Sequence, residues 1–437
     1  MVNLAQNYLT RGFWGDEAWT SLISQLPYLQ MLKTTAADFH PPAYYTIVEL
    51  VYKFLPPTEV ATRLISVFFY LATVYLVFKL AAKLRGQTFG IITALLLATS
   101  PVFFTYAFEA RNYTLFALAA TGSVYYLISL LASFSKKNAI MFVLFSTLGV
   151  YTHYYMFFTL AAEGLFVLLF ELKILERIIG LYLVVTALFL PWIPFLLHQV
   201  LSATSSYWIG GLNSRTHYEA ILRILGGEEQ NVIRPWLFGI SLGLLIISLL
   251  LLFRQKSSKK PYILIWSWLV VPFILASLPG LRIGGFKLPL RPFFFWRYLI
   301  PSAIPFSILI AGGASFLPKV FYKSVIGLIL ILSLVVDYMT FTKSPVTFRQ
   351  VYENEIVTKI KPDDKIVTVL PSFAEVLYYR NRNHLDNDLL VLSEGLVQFS
   401  GKSLLDAYVA NGVVKIVNKP QGRYFELRPG PTIIRME

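Results

Sequence analysis

No cysteine occurs in the 437 residues, which excludes disulfides, thiolate metal sites and thiol redox chemistry. Charge is scarce too. Only 14% of residues are charged, where a soluble chain would carry roughly a quarter. Acidic residues are fewer still: 24 Asp and Glu stand against 38 Lys and Arg, for a net charge of +14. The basic residues are dispersed between apolar segments and form no single stripe, which argues against a nucleic-acid partner. No repeat of fixed period is visible. In place of these features stand apolar and aromatic residues. Mean hydropathy is +0.61, 56% of residues are hydrophobic, and there are 35 Phe and 26 Tyr. That is the composition of a polytopic membrane protein with aromatic belts at the lipid–water boundary. The positive excess suits membrane orientation and anionic headgroups, so membrane lipids are expected partners.

Apolar runs of roughly 17–20 residues predict about ten spanning helices. They lie near 60–79, 88–107, 113–132, 138–154, 156–172, 178–197, 236–253, 261–279, 298–317 and 322–341. Five connecting loops are short and basic. They carry Lys79, Lys83 and Arg85; Lys136 and Lys137; Lys173 and Arg177; Arg254, Lys256, Lys259 and Lys260; Lys319 and Lys323. The positive-inside rule makes these cytoplasmic and turns the polar motifs outward. Three regions follow: a first extracytoplasmic segment (1–57), a transmembrane domain (58–342), and a small extracytoplasmic α/β domain (343–437). In the first region, residues 16–33 and 42–55 read as interfacial helices, with Pro41-Pro42 opening the second. In the last, short apolar runs such as 365–370 and 389–392 alternate with helical stretches at 372–380 and 403–411, followed by strands near 413–417, 422–428 and 432–435. An even number of spans puts both termini outside, yet the first 57 residues hold no signal peptide. An upstream spanning helix is therefore expected.

The polar residues on the outer side carry the chemistry. Asp16-Glu17 lies between Trp14 and Trp19; a first helical turn also favours acidic pairs for its dipole. His40-Pro41-Pro42 follows at a distance. Glu109 and Arg111 share a tight corner, where a local ion pair and a guanidinium fork for phosphate are both open readings. His153 sits among tyrosines at the next outer corner, as an interfacial residue or a ligand. Glu163 lies deeper in an apolar helix, where ionisable side chains usually face the bundle interior. Arg282, Lys287, Arg291 and Arg297 put four cations on one outward loop, against the positive-inside bias, with Tyr298 beside the last. They suit a lipid phosphate, or headgroups reached by snorkelling. Together these residues describe a pocket that deprotonates a hydroxyl and holds a phosphate.

The motifs also resemble a known family. Asp16-Glu17-Ala18-Trp19, His40-Pro41-Pro42-Ala43-Tyr44-Tyr45, Ala61-Thr62-Arg63-Leu64, Ser100-Pro101, Glu109-Ala110-Arg111-Asn112-Tyr113, Thr152-His153-Tyr154 and Arg297-Tyr298-Leu299-Ile300-Pro301 look like the prokaryotic branch of the protein-mannosyltransferase-like (PMT/ArnT-like) superfamily. These are GT-C-fold glycosyltransferases that use polyprenyl-phosphate sugars. The resemblance spans roughly residues 10–315. It implies Asp16 as the catalytic carboxylate with Glu17 beside it, Glu109 and Arg111 near the sugar phosphate, and Arg297 on the lipid phosphate. The implied reaction is an inverting transfer, mannosyltransferase-like, from the polyprenyl-phosphate sugar to a hydroxyl acceptor on lipid, glycan or protein. The family normally carries a spanning helix before its Asp-Glu loop. No cofactor is implied, although Asp16, Glu17 and Glu109 are oxygen ligands of the kind Mg²⁺ or Mn²⁺ accepts. The competing class is a flippase or transporter of lipid-linked sugars. Such proteins usually show repeats and polar residues at the midplane, whereas here the polar residues gather at one face.

Overall fold

The computed structural model describes residues 6–206, 209, 211–254, 259–280, 282–283, 286–287, 292–343, 346–394, 396 and 401–436. Three short helices precede the bundle: α1 (Gly15–Ile23), α2 (Tyr28–Ala36) and α3 (Ala43–Tyr52). The expected helix over 16–33 is thus two helices, because Pro27 stands as the N-cap of α2. The bundle runs through α4 (Glu59–Arg85), α5 (Gln87–Ala98), α6 (Pro101–Ala107), α7 (Tyr113–Ala132), α8 (Lys136–Thr152), α9 (Met156–Phe170), α10 (Leu175–Phe189) and α11 (Ile193–Ser206). It continues through α12 (Thr216–Gly226), α13 (Arg234–Arg254) and α14 (Lys260–Ser277), a two-residue hairpin pairing β1 (Arg282–Ile283) with β2 (Phe286–Lys287), and then α15 (Ala303–Ala314) and α16 (Lys319–Phe341).

Among the described residues, six helical segments are long and apolar enough to cross a membrane: Glu59–Arg85, Tyr113–Ala132, Leu172–Ser202, Lys260–Ser277, Trp296–Ala314 and Lys319–Phe341. The pair α5–α6 makes a seventh only if its 68° bend is counted within one span. The expected count of ten is not reached among the described residues. Ser100-Pro101 breaks the run at 88–107, since a proline restricts the residue before it and opens a new helix. Helices α8 and α9 have 17 and 15 residues. At 1.5 Å per residue they reach about 25 Å or less, short of a hydrocarbon core about 30 Å thick. The apolar part of α13, Arg234–Leu250, is also among the shorter helices.

Beyond α16 come α17 (Phe348–Val351), β3 (Lys365–Thr368), α18 (Phe373–Arg382), β4 (Leu389–Leu392), α19 (Lys402–Ala410), β5 (Val414–Val417), β6 (Tyr424–Arg428) and β7 (Thr432–Met436). The sheet order is β5-β4-β3-β6-β7. The first four strands in that order are parallel, with Ile366 opposite Leu389 and Phe425, and β7 closes one edge antiparallel. Parallel strands need covering on both faces, and β4 is buried at every residue.

This sheet unit shares a core with the N-terminal helices. Phe13, Leu22 and Tyr44 pack in one cluster with Tyr352, Phe373, Tyr379 and Leu405. Polar contacts fix the same seam. The Tyr379 hydroxyl accepts from the Phe13 N–H at 2.6 Å and donates to Glu59 at 3.1 Å. The Tyr408 hydroxyl donates to the Leu22 carbonyl at 3.0 Å, and Arg349 to the Thr10 carbonyl at 2.7 Å. Gly12 is needed here, because a Cβ would collide with the Thr347 side chain. Residues 10–16 are therefore held from above by the C-terminal domain.

Candidate active site

Asp16 and Glu17 open α1 side by side, but a helix turns about 100° per residue and sends them apart. The Asp16 side chain is 45% exposed and the Glu17 side chain is fully buried. Arg63, on the first turns of α4, meets Glu17 with a two-pronged bond: Nε to Oε1 at 2.8 Å and Nη2 to Oε2 at 2.6 Å. The Ala110 N–H adds a third donor at 2.9 Å. The remaining Arg63 protons go to the carbonyls of Leu9, Arg11 and Gly12. Burial alone would raise the Glu17 carboxyl, but Arg63, Arg11 and the Ala110 N–H outweigh it and hold it below the usual glutamate range. Glu17 is thus a pillar under the loop, and Asp16 is the carboxylate that faces out.

Arg111 lies against Asp16. Its Nη1 donates to the Asp16 carbonyl at 3.4 Å, and its Nη2 is 3.7 Å from Oδ2. The same Nη2 is 3.3 Å from His40 Nε2, while His40 Nδ1 is 3.5 Å from Asp38 Oδ2. Burial disfavours the Arg111 charge, yet Asp16 and the surrounding tyrosines hold it well above the ordinary arginine value. Its Nε is buried without a partner. His153 stacks on Phe116 at 5.0 Å and meets Tyr298 edge-on at 4.8 Å. Its Nδ1 accepts from the Tyr155 N–H at 3.1 Å, which leaves the ring proton on Nε2. Burial, then His40 and Arg111, push its pKa down to about 3, so His153 is neutral at physiological pH.

Glu109 and Arg297 stand on the other side of Trp14. The Trp14 indole N–H donates to Glu109 Oε2 at 2.7 Å, and Arg11 to Oε1 at 2.8 Å. Burial raises the Glu109 carboxyl most, against the pull of Arg11, with Glu17 adding to the rise. The Arg297 guanidinium sits 5.3 Å from the centre of the Trp14 ring and donates to Glu228 Oε1 at 2.9 Å. Tyr106 holds the other Glu228 oxygen at 3.0 Å. Glu109 therefore pairs with Arg11, and Arg111 reaches Asp16; the local Glu109–Arg111 ion pair is not formed.

Next to this pair lies a cavity of about 470 Å³ lined by Arg215, Tyr218, Glu219, Arg223, Gln230 and Arg234. Arg223 lies over the Trp296 ring at 5.3 Å, and Arg297 approaches the same ring at 5.7 Å. Three guanidinium groups against one carboxylate make the cavity cationic. The sequence reading missed Glu228, Arg223 and Arg234, because isolated charges in a long connection follow no spacing rule. Arg291 and Lys256 lie outside the described residues, as do the side chains of Arg254, Arg282 and Lys287. Glu163 is buried in α9, where Ser123 donates to its Oε2 at 3.0 Å. Among the described residues, no three His, Asp or Glu side chains gather closely enough to hold a metal ion.

A helical membrane bundle topped by short surface helices and a small α/β sheet domain, with acid–arginine corners between them, is the architecture of the GT-C fold. Over 97% of this chain and 90% of the other, it superposes on ArnT from Cupriavidus metallidurans in the apo state, with a TM-score of 0.65 at 13% identity. The undecaprenyl phosphate-bound ArnT from the same organism matches with a TM-score of 0.64, the same identity and the same coverage. Residues 39–198 match the family described as dolichyl-phosphate-mannose-protein mannosyltransferase. No curated protein matches the sequence. The family match and the fold both support the PMT/ArnT-like GT-C family that the motifs resemble. The matched segment includes His40, Arg63, Glu109, Arg111 and His153; Asp16 and Arg297 lie outside it.

Proposed function

We propose that this protein is a membrane glycosyltransferase that moves a sugar, mannose or a related hexose or pentose, from a polyprenyl-phosphate donor to a hydroxyl acceptor. One observation carries the reading: a half-exposed carboxylate, Asp16, lies against buried Arg111, which also meets His40, with a cationic cavity and Arg297 nearby. The donor class draws support from the fold-related ArnT solved with undecaprenyl phosphate. In the reaction, Asp16 takes the proton of the acceptor hydroxyl as its oxygen bonds to the anomeric carbon. The bond from that carbon to the phosphate oxygen breaks, and its electron pair leaves with the phosphate. Arg297, Arg223 and Arg234 stabilise that charge, and their forks suit phosphate oxygens. Direct displacement inverts the anomeric centre. Arg111 and neutral His153 orient the sugar beside Asp16. The site faces the extracytoplasmic side, opposite the short basic loops.

The test is transfer from a polyprenyl-phosphate sugar to a hydroxyl acceptor in vesicles, with donor binding followed separately. Asp16→Asn keeps the shape and removes the proton acceptor. Transfer should fall by about 10²-fold or more while donor binding persists. Normal transfer by this variant removes the assignment of Asp16. Lipid translocation by the wild-type protein without transfer favours a flippase instead.

A further inference from the structure

Glu375 is the third residue of α18, in the C-terminal domain, far in sequence from Asp16 and the other candidate site residues. It is 9% exposed, and its Oε2 is buried without a hydrogen-bond partner. A solvated helix position would leave this carboxylate in water. Instead it lies against Gly15, the first residue of α1: a Cβ built there would stand 3.4 Å from Oε1. The carboxylate therefore packs against the first turn of α1, where the leading N–H groups have no partner within the helix.

Helix α1 has no cap of its own. Trp14 occupies the N-cap position and offers no side-chain acceptor. Its carbonyl takes the N–H groups of Glu17 and Ala18 at 2.9 and 3.0 Å. The side chain that faces this open start is Glu375, at the place that Ser, Thr, Asp or Asn fills locally in most helices. The residue after Gly15 is Asp16.

We propose that Glu375 is a positioning residue of the candidate site: from the C-terminal domain it packs against the start of α1 and fixes where the Asp16 carboxylate stands. The inference rests on the glycosyltransferase reading given above. Burial raises the Glu375 carboxyl to about 7, and the Asp16 charge adds to the rise. One turn further along α18, Tyr379 holds the Phe13 N–H, so a single helix sets both sides of Trp14.

The experiment compares four full-length proteins in vesicles: wild type, Glu375→Ala, Glu375→Gln and Tyr408→Phe. Glu375→Ala should lower kcat by roughly 10–100-fold, since displacing a reacting group by about an ångström costs on that order. Its donor KM should stay within about twofold, because the phosphate-binding arginines are untouched. Glu375→Gln should recover most of kcat, as it keeps the shape that packs against Gly15 and an oxygen in place of the carboxylate's. Tyr408→Phe removes another bond between the same domain and the far end of α1; it should lower the melting temperature and leave kcat unchanged. The proposal is overturned if Glu375→Ala or, should that variant not fold, Glu375→Asp keeps wild-type kcat. It is also overturned if Tyr408→Phe loses kcat equally, since the effect would then be general loosening. A failure of the underlying reading looks different: the wild type makes no transfer, or Asp16→Asn transfers normally.

Discussion

Removing the Glu17 charge should unfold the N-terminal loop, because its partner cannot reach water. Arg63 and Glu17 are both fully buried and bonded twice, at 2.6 and 2.8 Å. Glu17→Gln leaves a guanidinium inside the protein with only carbonyl oxygens and one amide to face. Breaking a buried pair from one side costs about 3–5 kcal/mol, mostly as the penalty of the stranded charge. Removing both charges, in Glu17→Gln with Arg63→Met, should restore a good part of that loss. The assay is the unfolding midpoint of the purified protein in detergent, read by tryptophan fluorescence, since Trp14 and Trp19 flank the pair. Acidity provides a second handle. Because the folded protein depresses the Glu17 carboxyl, its contribution is fully present above the unfolded value of about 4.5. It is lost as pH falls below that value through the lower folded one. Wild type should therefore lose stability in strong acid more steeply than Glu17→Gln. A single variant as stable as wild type, or a double variant weaker than the single, refutes this account.

Two further outcomes are expected. Arg297→Ala should reduce kcat/KM for the donor by about 10²-fold or more, and lysine should rescue only part, because it lacks the planar fork that engages Glu228 now and would engage phosphate in turnover; unchanged donor kinetics would make Arg297 a structural partner of Glu228 alone. Cysteines placed at Lys137 and Lys402 report orientation, since the chain has no native thiol: an impermeant reagent on intact cells should label position 402 only, and the reverse pattern would place the site on the cytoplasmic side.

What the sequence made legible follows from how strongly each feature is patterned. The strands of the C-terminal domain stand where short apolar runs stop at polar residues, as at Lys365–Thr368 and Leu389–Leu392. Hydropathy measures apolar length and not direction, so it merged α5 and α6 across Ser100-Pro101 and promoted α8 and α9 to spans. The outer motifs directed attention to Asp16, Arg111 and His40, which do meet. Adjacency hid the division between Asp16 and Glu17, which depends on helix phase relative to a core still unknown at that stage. Arg63 appeared within a motif without a role, since its partner lies 46 residues away. Glu375 gave no signal at all: on a helix with Arg380 and Arg382 it reads as one more solvated charge, and only packing against Gly15 distinguishes it.

The seam between residues 10–16 and α18 has a consequence for how the protein is made. The first turn of α1 leaves the ribosome early, while the tyrosine and glutamate that hold it are about 360 residues behind. Contacts of such sequence separation form late, because the intervening chain must first be ordered. The Asp16 loop thus waits, unsupported, until the last helices are threaded and the sheet has closed. A nascent or truncated chain would carry the Asp16 carboxylate without the frame that holds its loop. Competence therefore arrives with completion, and the far end of the polypeptide serves as the check that the near end is ready.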